Sequence, residues 1–317
     1  MTGLSEQAQR VLVTGGAGFI GSHLVDRLVE GGYSVVVLDN LSTGKLENIR
    51  GHLNRRNVVF VEGDIRDASM VERCFAGVDV AVHLAAVTSV PFSVENPDVT
   101  FEVNVGGTLN VLRSCANWRV RKMVFASSCA VYGEQDSLPV SEQTAVNPVS
   151  PYAESKLAGE KYCCGFNDVQ LAPIVGLRFF NVYGSRQGAS EYAGVITRFM
   201  DRVRRGLPVV VYGDGSQTRD FVNVQDVVSA IMCCIESDEA DGKVVNVGFG
   251  EPVTINELAR TVLDLYGSDL PVVYEEARAG DIRHSHADIS LAKRLLGYEP
   301  KVSLREGLSR LVSQMSG

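Results

Sequence analysis

Short apolar runs alternate with amphipathic stretches through the first half of the chain: VLVTG, a helical stretch from about Gly18, YSVVVLDN, NVVFVEGD, VDVAVHLAA and KMVFASS. Runs rich in Val, Ile and Leu are the pattern of parallel strands covered on both faces, and the stretches between them have helical spacing. APIVGLRFFNVYG reads as one further strand. The prediction is an α/β fold: a Rossmann-type doubly wound parallel sheet with helices on both sides. Beyond about residue 183 the pattern shortens into a helix near 194 to 205, a strand at PVVVYG, and helices around 226 to 236 and 256 to 266. The expected organisation is a dinucleotide-binding domain over 1–182 and a smaller α/β substrate lobe over 183–317, with a possible crossing of the chain back to the first domain.

Composition narrows the function without naming it. The 317 residues are enough for about two domains at ~150 residues each. A hydrophobic share of 45% and a charged share of 21% are ordinary for a globular protein. The net charge of -8 speaks against a nucleic-acid partner, since such binding draws on clustered Lys and Arg. Neither a leader's apolar region nor a membrane-length apolar run is found, so a cytoplasmic protein is expected. The seven cysteines include the neighbours Cys163 and Cys164, and Cys233 and Cys234, but no C-x-x-C, and are expected to be reduced thiols. Five histidines without a ligand spacing predict no metal site.

In such sheets ligands bind beyond the carboxyl ends of the strands. There the first strand runs into TGGAGFIGSHLVDRL, with Gly15, Gly16, Gly18 and Gly21 at the mouth of a helix. Glycines allow the tight turn and the approach of backbone N–H groups to a pyrophosphate, which the helix N-terminus favours. Asp39, ending the second strand, is placed to accept from ribose hydroxyls and to repel a 2′-phosphate, which predicts NAD over NADP. Lys45 nearby weighs against that choice. Asp64, in GDIRD, either faces the adenine amine or is a turn acid.

SPYAESKLAGEKY, residues 150–162, places Tyr152 and Lys156 at i and i+4 on one helix face, with Ser150 as N-cap and Pro151 at the first helical position. Spacing alone would make them a solvated surface pair. TGGAGFIG, Asp39, GDI at 63–65, HLAA at 83–86, VNVGGT at 103–108, SSCAVYG at 127–133 and the Tyr152/Lys156 pair together resemble the extended short-chain dehydrogenase/reductase family. RFFNVYGSRQ, EYAGVI, VYGDGSQTRDFVNVQD and RAGDIRHSHADIS resemble its UDP-hexose 4-epimerase branch.

The resemblance implies NAD-dependent epimerisation at C4 of a UDP-sugar, with Ser128, Tyr152 and Lys156 as the catalytic group. Tyr152 would take the 4-hydroxyl proton as hydride leaves C4 for the nicotinamide, Lys156 would hold the nicotinamide ribose, and Ser128 would bond the reacting oxygen. Lys156 and the cationic ring are expected to favour the phenolate. The implied cofactor contacts are Gly15, Gly18, Phe19, Ile20, Asp39, Asn40, Ser42, Thr43, Gly44, Asp64 and Ile65. Leu84, Ala85, Ala86, Asn104, Ser127 and Phe180 complete them, together with Tyr152 and Lys156.

On the substrate side Arg219 and Arg278 are expected to clamp the diphosphate. Asn181 would contact the diphosphate or sugar, Ala193, Gly194, Val195, Val209, Val211 and Tyr212 the uracil, and Asp281 the uridine ribose. Ser89 belongs to the substrate set with Ser128 and Tyr152, and Ser285 would gate the sugar pocket with room for a 2-acetamido group. Related 4,6-dehydratases and decarboxylases carry polar or acidic groups after the catalytic Ser/Thr, where this chain has Cys129 and Ala130. Cys129 is read as a small packing residue. A homodimer is implied by the family. A UDP-glucuronate 4-epimerase is the competing enzyme reading, though Gly188 offers no cation for a carboxylate. A catalytically silent dinucleotide-binding protein is the competing reading outside enzymes.

Overall fold

Because the Val-rich runs carry apolar side chains on both faces, they can be satisfied only inside a covered sheet, and that is where they lie. In the computed structural model, residues 8–169, 172–188, 194–277 and 282–316 are described. β1 (Arg10–Thr14), β2 (Ser34–Asp39), β3 (Val58–Glu62), β4 (Val80–His83), β5 (Lys122–Ser128) and β6 (Ile174–Phe179) form a parallel sheet. A seventh strand, Val244–Val247, joins it beside β6, giving the order 11-6-5-4-1-2-3 when strands are numbered along the chain. Helices α1 (Phe19–Glu30), α2 (Ala68–Cys74), α3 (Val90–Glu95), α4 (Pro97–Phe101), α5 (Thr108–Trp118) and α6 (Pro151–Asp168) connect these strands, with a π-helical stretch at Glu102–Gly107. Two apolar layers, one on each face, bury the sheet.

The segment expected to be one strand at APIVGLRFFNVYG is two. β6 ends at Phe179; the Phe180 N–H still donates to the Val247 carbonyl, whereas the Asn181 N–H donates to Asp220. The chain thus changes sheets, and β7 (Asn181–Tyr183) pairs instead with Phe221–Asn223. The second half follows with α7 (Val195–Arg204), β8 (Val209–Tyr212), β9 (Thr218–Arg219), β10 (Phe221–Asn223), α8 (Val224–Glu236), β11 (Val244–Val247) and β12 (Val253–Thr254). It ends with α9 (Ile255–Tyr266), β13 (Val272–Glu275), α10 (Ser290–Leu296) and α11 (Leu304–Ser316). A third core joins α7, β8, α9 and α11. α8 and β11 return to the main sheet, α8 packing on α1. No helix among the described residues is long and apolar enough to cross a membrane.

Candidate active site

β1 turns into α1 through a loop that only glycine can make. Gly15 sits at φ +70°, and a Cβ there would lie 2.8 Å from the Ala85 nitrogen. A Cβ on Gly21 would lie 2.1 Å from the Gly15 carbonyl oxygen, so helix and loop are in backbone contact. The result is a cradle between the ends of β1 and β4 into which the first turn of α1 opens.

Asp39 faces this cradle. Its carboxylate accepts from the Ala17 N–H at 2.9 Å and the Leu41 N–H at 2.8 Å. A carboxylate has about four acceptor sites, so capacity remains for two ribose hydroxyls. Gly44 lies over it: a Cβ there would meet both carboxylate oxygens at 2.9 Å. Asp64 accepts from Asn40 at 3.0 Å and from Arg66 at 3.0 and 2.8 Å, and the guanidinium holds its carboxyl down at about 2. Lys45 is exposed and does not line the cavity.

A cavity of about 710 Å³ runs from this cradle across the sheet to the second half of the chain. Its nucleotide end is lined by Gly15, Gly18, Phe19, Ile20, Asp39, Asn40, Ser42 and Thr43, continuing through Asp64, Ile65, Leu84, Ala85 and Ala86. Its centre holds Ser127, Ser128, Tyr152, Lys156 and Phe180; its far end holds Asn181, Gly194, Arg219 and Ser285. An elongated pocket with a glycine cradle at one end and an acidic side chain beside it fits a dinucleotide.

Several expected contacts lie elsewhere. Asn104 is 2% exposed and off the cavity, its amide bonding both backbone groups of Val87 and the Ser155 hydroxyl. Ser155 in turn donates to the Tyr152 carbonyl, so Asn104 ties the loop after β4 to α6. Ser89 caps α3 by accepting from the Phe92 N–H. Val209 and Val211 point into the third core, as does Val195, and Tyr212 stacks under the Arg198 guanidinium at 5.8 Å; none of the four lines the cavity. Alternation along a strand turns successive side chains to opposite faces, and the inward face of β8 belongs to that core. Ala193, Arg278 and Asp281 lie outside the described residues. Thr88, Val90, Gln187 and Ile282 line the cavity without any expectation from the sequence. Thr88, two residues past HLAA, was the one signal available, since strand ends point into such crevices.

The residues expected to form the reacting centre come from two elements. Ser128 is the last residue of β5; Ser150 caps α6 by accepting from the Ala153 N–H, and Pro151 starts it, which places Tyr152 in the first turn. The Tyr152 and Ser128 hydroxyls line the same part of the cavity. Lys156, 5% exposed, donates to the Ala126 carbonyl at 2.9 Å. Desolvation pushes the phenol up to about 12, the neighbouring Ser128 hydroxyl acting against it, and burial pushes the lysine down to about 8. This differs from the expected phenolate. The Lys156 nitrogen is bonded to a backbone carbonyl rather than to the phenol, so desolvation dominates both groups. Ser285 and Cys129 line the cavity together, and burial pushes the Cys129 thiol up to about 12, so the thiol is neutral. All seven cysteines are free.

Residues 11–248 match the model of the NAD dependent epimerase/dehydratase family. The chain belongs to that family. NAD is therefore its cofactor, and the glycine cradle with Asp39 is where this fold would hold it. Among curated relatives, the UDP-glucose 4-epimerase of Mycolicibacterium smegmatis is 39% identical over 305 residues, 96% of this chain and 97% of that protein. The structure of UDP-glucose 4-epimerase from Thermotoga maritima with UDP-glucose is 41% identical, with a TM-score of 0.92 over 97% of this chain and 99% of that one. UDP-N-acetylglucosamine 4-epimerase from Methanobrevibacter ruminantium, in complex with UDP-N-acetylmuramic acid, is 39% identical, with a TM-score of 0.91 over 98% and 100%.

Proposed function

We propose that this protein is a UDP-hexose 4-epimerase acting on UDP-glucose and UDP-galactose and, through a roomy sugar pocket, on their 2-acetamido counterparts. The observation that carries this reading is the meeting of Ser128, Tyr152 and Lys156 in one cavity with the glycine cradle, while Cys129 stands next to Ser128. The family includes dehydratases. Eliminating water needs an acid beside the reacting carbon, and a neutral thiol held near 12 cannot replace a carboxylic acid there.

NAD, when bound, supplies a reversible acceptor for the hydride at C4. Tyr152, made a phenolate once the Lys156 charge and the cationic ring of bound NAD offset its desolvation, takes the proton of the 4-hydroxyl and returns it when the sugar is reduced from its other face. Ser128, beside the phenol in the cavity, orients the reacting oxygen. Lys156 provides positive charge behind the phenol. Arg219 at the far end holds the diphosphate, and the arrangement gives the second half of the chain, 183–317, most of the substrate contacts. Ser285 takes the place of a bulkier gate. The exposed Val94, Val99, Phe101 and Tyr162, on the neighbouring helices α3, α4 and α6, support a homodimer through that face.

The test is incubation of the NAD-loaded protein with UDP-glucose, UDP-N-acetylglucosamine and UDP-glucuronate, with the products resolved at C4 by NMR. Galactose- and N-acetylgalactosamine-configured products are expected without net NADH. Conversion of UDP-glucuronate alone, or elimination products, would overturn the reading.

A further inference from the structure

Helix α6 continues past the reacting pair: Tyr152, Lys156 and Glu160 follow one another at i+4 intervals and so share a face. Glu160 is 4% exposed and does not reach the cavity. Arg178 on β6 grips it in a forked pair at 2.9 and 2.7 Å, and the Ser127 hydroxyl donates to the same carboxylate at 2.5 Å. The Arg178 guanidinium lies 4.7 Å over the Tyr132 ring, whose hydroxyl donates to Asn246. The carboxylate is therefore fixed from two strands.

Two side-chain bonds then join α6 to the tip of β5: Lys156 to the Ala126 carbonyl, and Ser127 to Glu160. The next residue is Ser128. The spacing between Ser128 on the strand and Tyr152 on the helix is set by this pair of clamps. The groups around Lys156 are Tyr152 and Cys163 on α6, His83 on β4, and Phe125, Ser127 and Ser128 on β5, with Arg178 beyond Glu160 on β6. His83 is buried and pushed down to about 3, so it is neutral, and the Cys163 thiol is pushed up. Glu160 is the carboxylate acting on the lysine among the described residues.

We propose that Glu160 is a positioning residue of the reacting centre, one that holds the tip of β5 through Ser127 and presents its negative charge to Lys156 one turn away. The proposal rests on Tyr152 and Lys156 being the reacting pair. Burial opposes charge on Lys156 and Glu160 favours it; without Glu160 the lysine gives up its proton more readily.

The test follows Lys156 by NMR in NAD-bound protein carrying 13C at lysine Cε, its signal assigned by loss in Lys156→Met. Glu160→Gln should lower the Lys156 midpoint by about one pH unit, a ten-fold change in its proton affinity. Glu160→Asp keeps the charge and should titrate as the wild type does. Ser127→Ala leaves the Glu160–Arg178 pair intact and should reduce kcat about ten-fold with KM for the UDP-sugar unchanged, because the strand tip loses one clamp. A Glu160→Gln lysine titrating as in wild type, or wild-type kcat in Ser127→Ala, overturns the proposal. Should Glu160→Gln fail to fold with its arginine stranded, wild-type kcat in Ser127→Ala alone overturns it. The lysine titration needs no sugar. A protein inactive on every UDP-sugar would thus sink the proposed function and leave this measurement to decide the role of Glu160.

Discussion

Gly21 in α1 and Gly165 in α6 are both helical glycines, and the same substitution should act on them with opposite sign. Alanine in a helix interior is better than glycine by about 0.5–1 kcal/mol, and at Gly165, exposed and with nothing within 4 Å of an added Cβ, that gain should appear undiminished. At Gly21 the same methyl would lie 2.1 Å from the Gly15 oxygen and 2.7 Å from the Gly16 Cα. A carbon needs about 3.3 Å from a carbonyl oxygen, so the helix or the loop must move by roughly 1 Å. Overpacking of this kind costs about 1–3 kcal/mol, which exceeds the propensity gain and leaves a net loss of up to about 2 kcal/mol. The shift also moves the helix N-terminus off its ligand. A ten-fold weaker NAD complex would remove about 1.4 kcal/mol more from the saturated protein. Thermal melts of both variants, with NAD saturating and stripped, give the comparison. Gly165→Ala should melt at or above wild type in both states; Gly21→Ala should melt below it, with the larger deficit when NAD is present, and should lose NAD on gel filtration. A Gly21→Ala protein that matches Gly165→Ala in melting and in NAD retention would refute the contact between loop and helix.

Tyr152→Phe should keep the fold and its NAD while turnover falls by at least ~100-fold; near-normal epimerisation would remove Tyr152 from the chemistry. Protein denatured after purification without additives should release NAD and not NADP, because Asp39 is aimed where a 2′-phosphate would sit; chromatography of the released dinucleotide decides it. Asp220→Asn should lower stability by about 1–3 kcal/mol in urea unfolding, since the carboxylate accepts from the Phe249, Gly250 and Ala287 N–H groups and an amide nitrogen cannot. Arg66→Ala should cost under ~1 kcal/mol, the partners being half-exposed and a quarter-exposed. The folded Asp64 titrates at about 2, below its ordinary 3.8, so that contribution is present above pH 4 and is lost as pH falls towards 2. An Arg66→Ala deficit that grows on acidification would contradict the pairing.

The parallel sheet was legible because continuous Val runs have no other stable place, and the Gly15 to Gly21 cradle because glycine at a strand-to-helix mouth has a steric meaning. What stayed hidden depends on contacts between distant segments. Nothing local in RFFNVYG says that the strand breaks at Phe180; the break is caused by Val247 and Asp220, far along the chain. VVNV at 244–247 is too short to stand out, yet it completes the sheet. Asn104 has the composition of a ligand contact, and only the position of Val87 reveals that its amide is already engaged. The rise of the Tyr152 phenol was likewise unreadable: charge can be counted from sequence, desolvation cannot.

The division into two halves is also less sharp in space than along the chain. α8 and β11, from the second half, complete the first half's sheet, while the junction of β6 and β7 sends Phe180 and Asn181 into the cavity from the strand that carries Arg178. Val140, from the loop before α6, pairs with Ala287 near the far wall, and Asp220 fastens that same Ala287 to Phe249 and Gly250. The sheet and the Val140 loop are therefore tied to segments of the second half by backbone hydrogen bonds. Such cross-ties oppose opening of the two halves as separate bodies. A redox-neutral reaction gains from that rigidity, because the cofactor is restored at the end of every turnover and has no need to leave, whereas the sugar must be free to present its other face. Fixed backbone around the glycine cradle and small side chains, Cys129 and Ser285, lining the far part of the same cavity would meet those two requirements together.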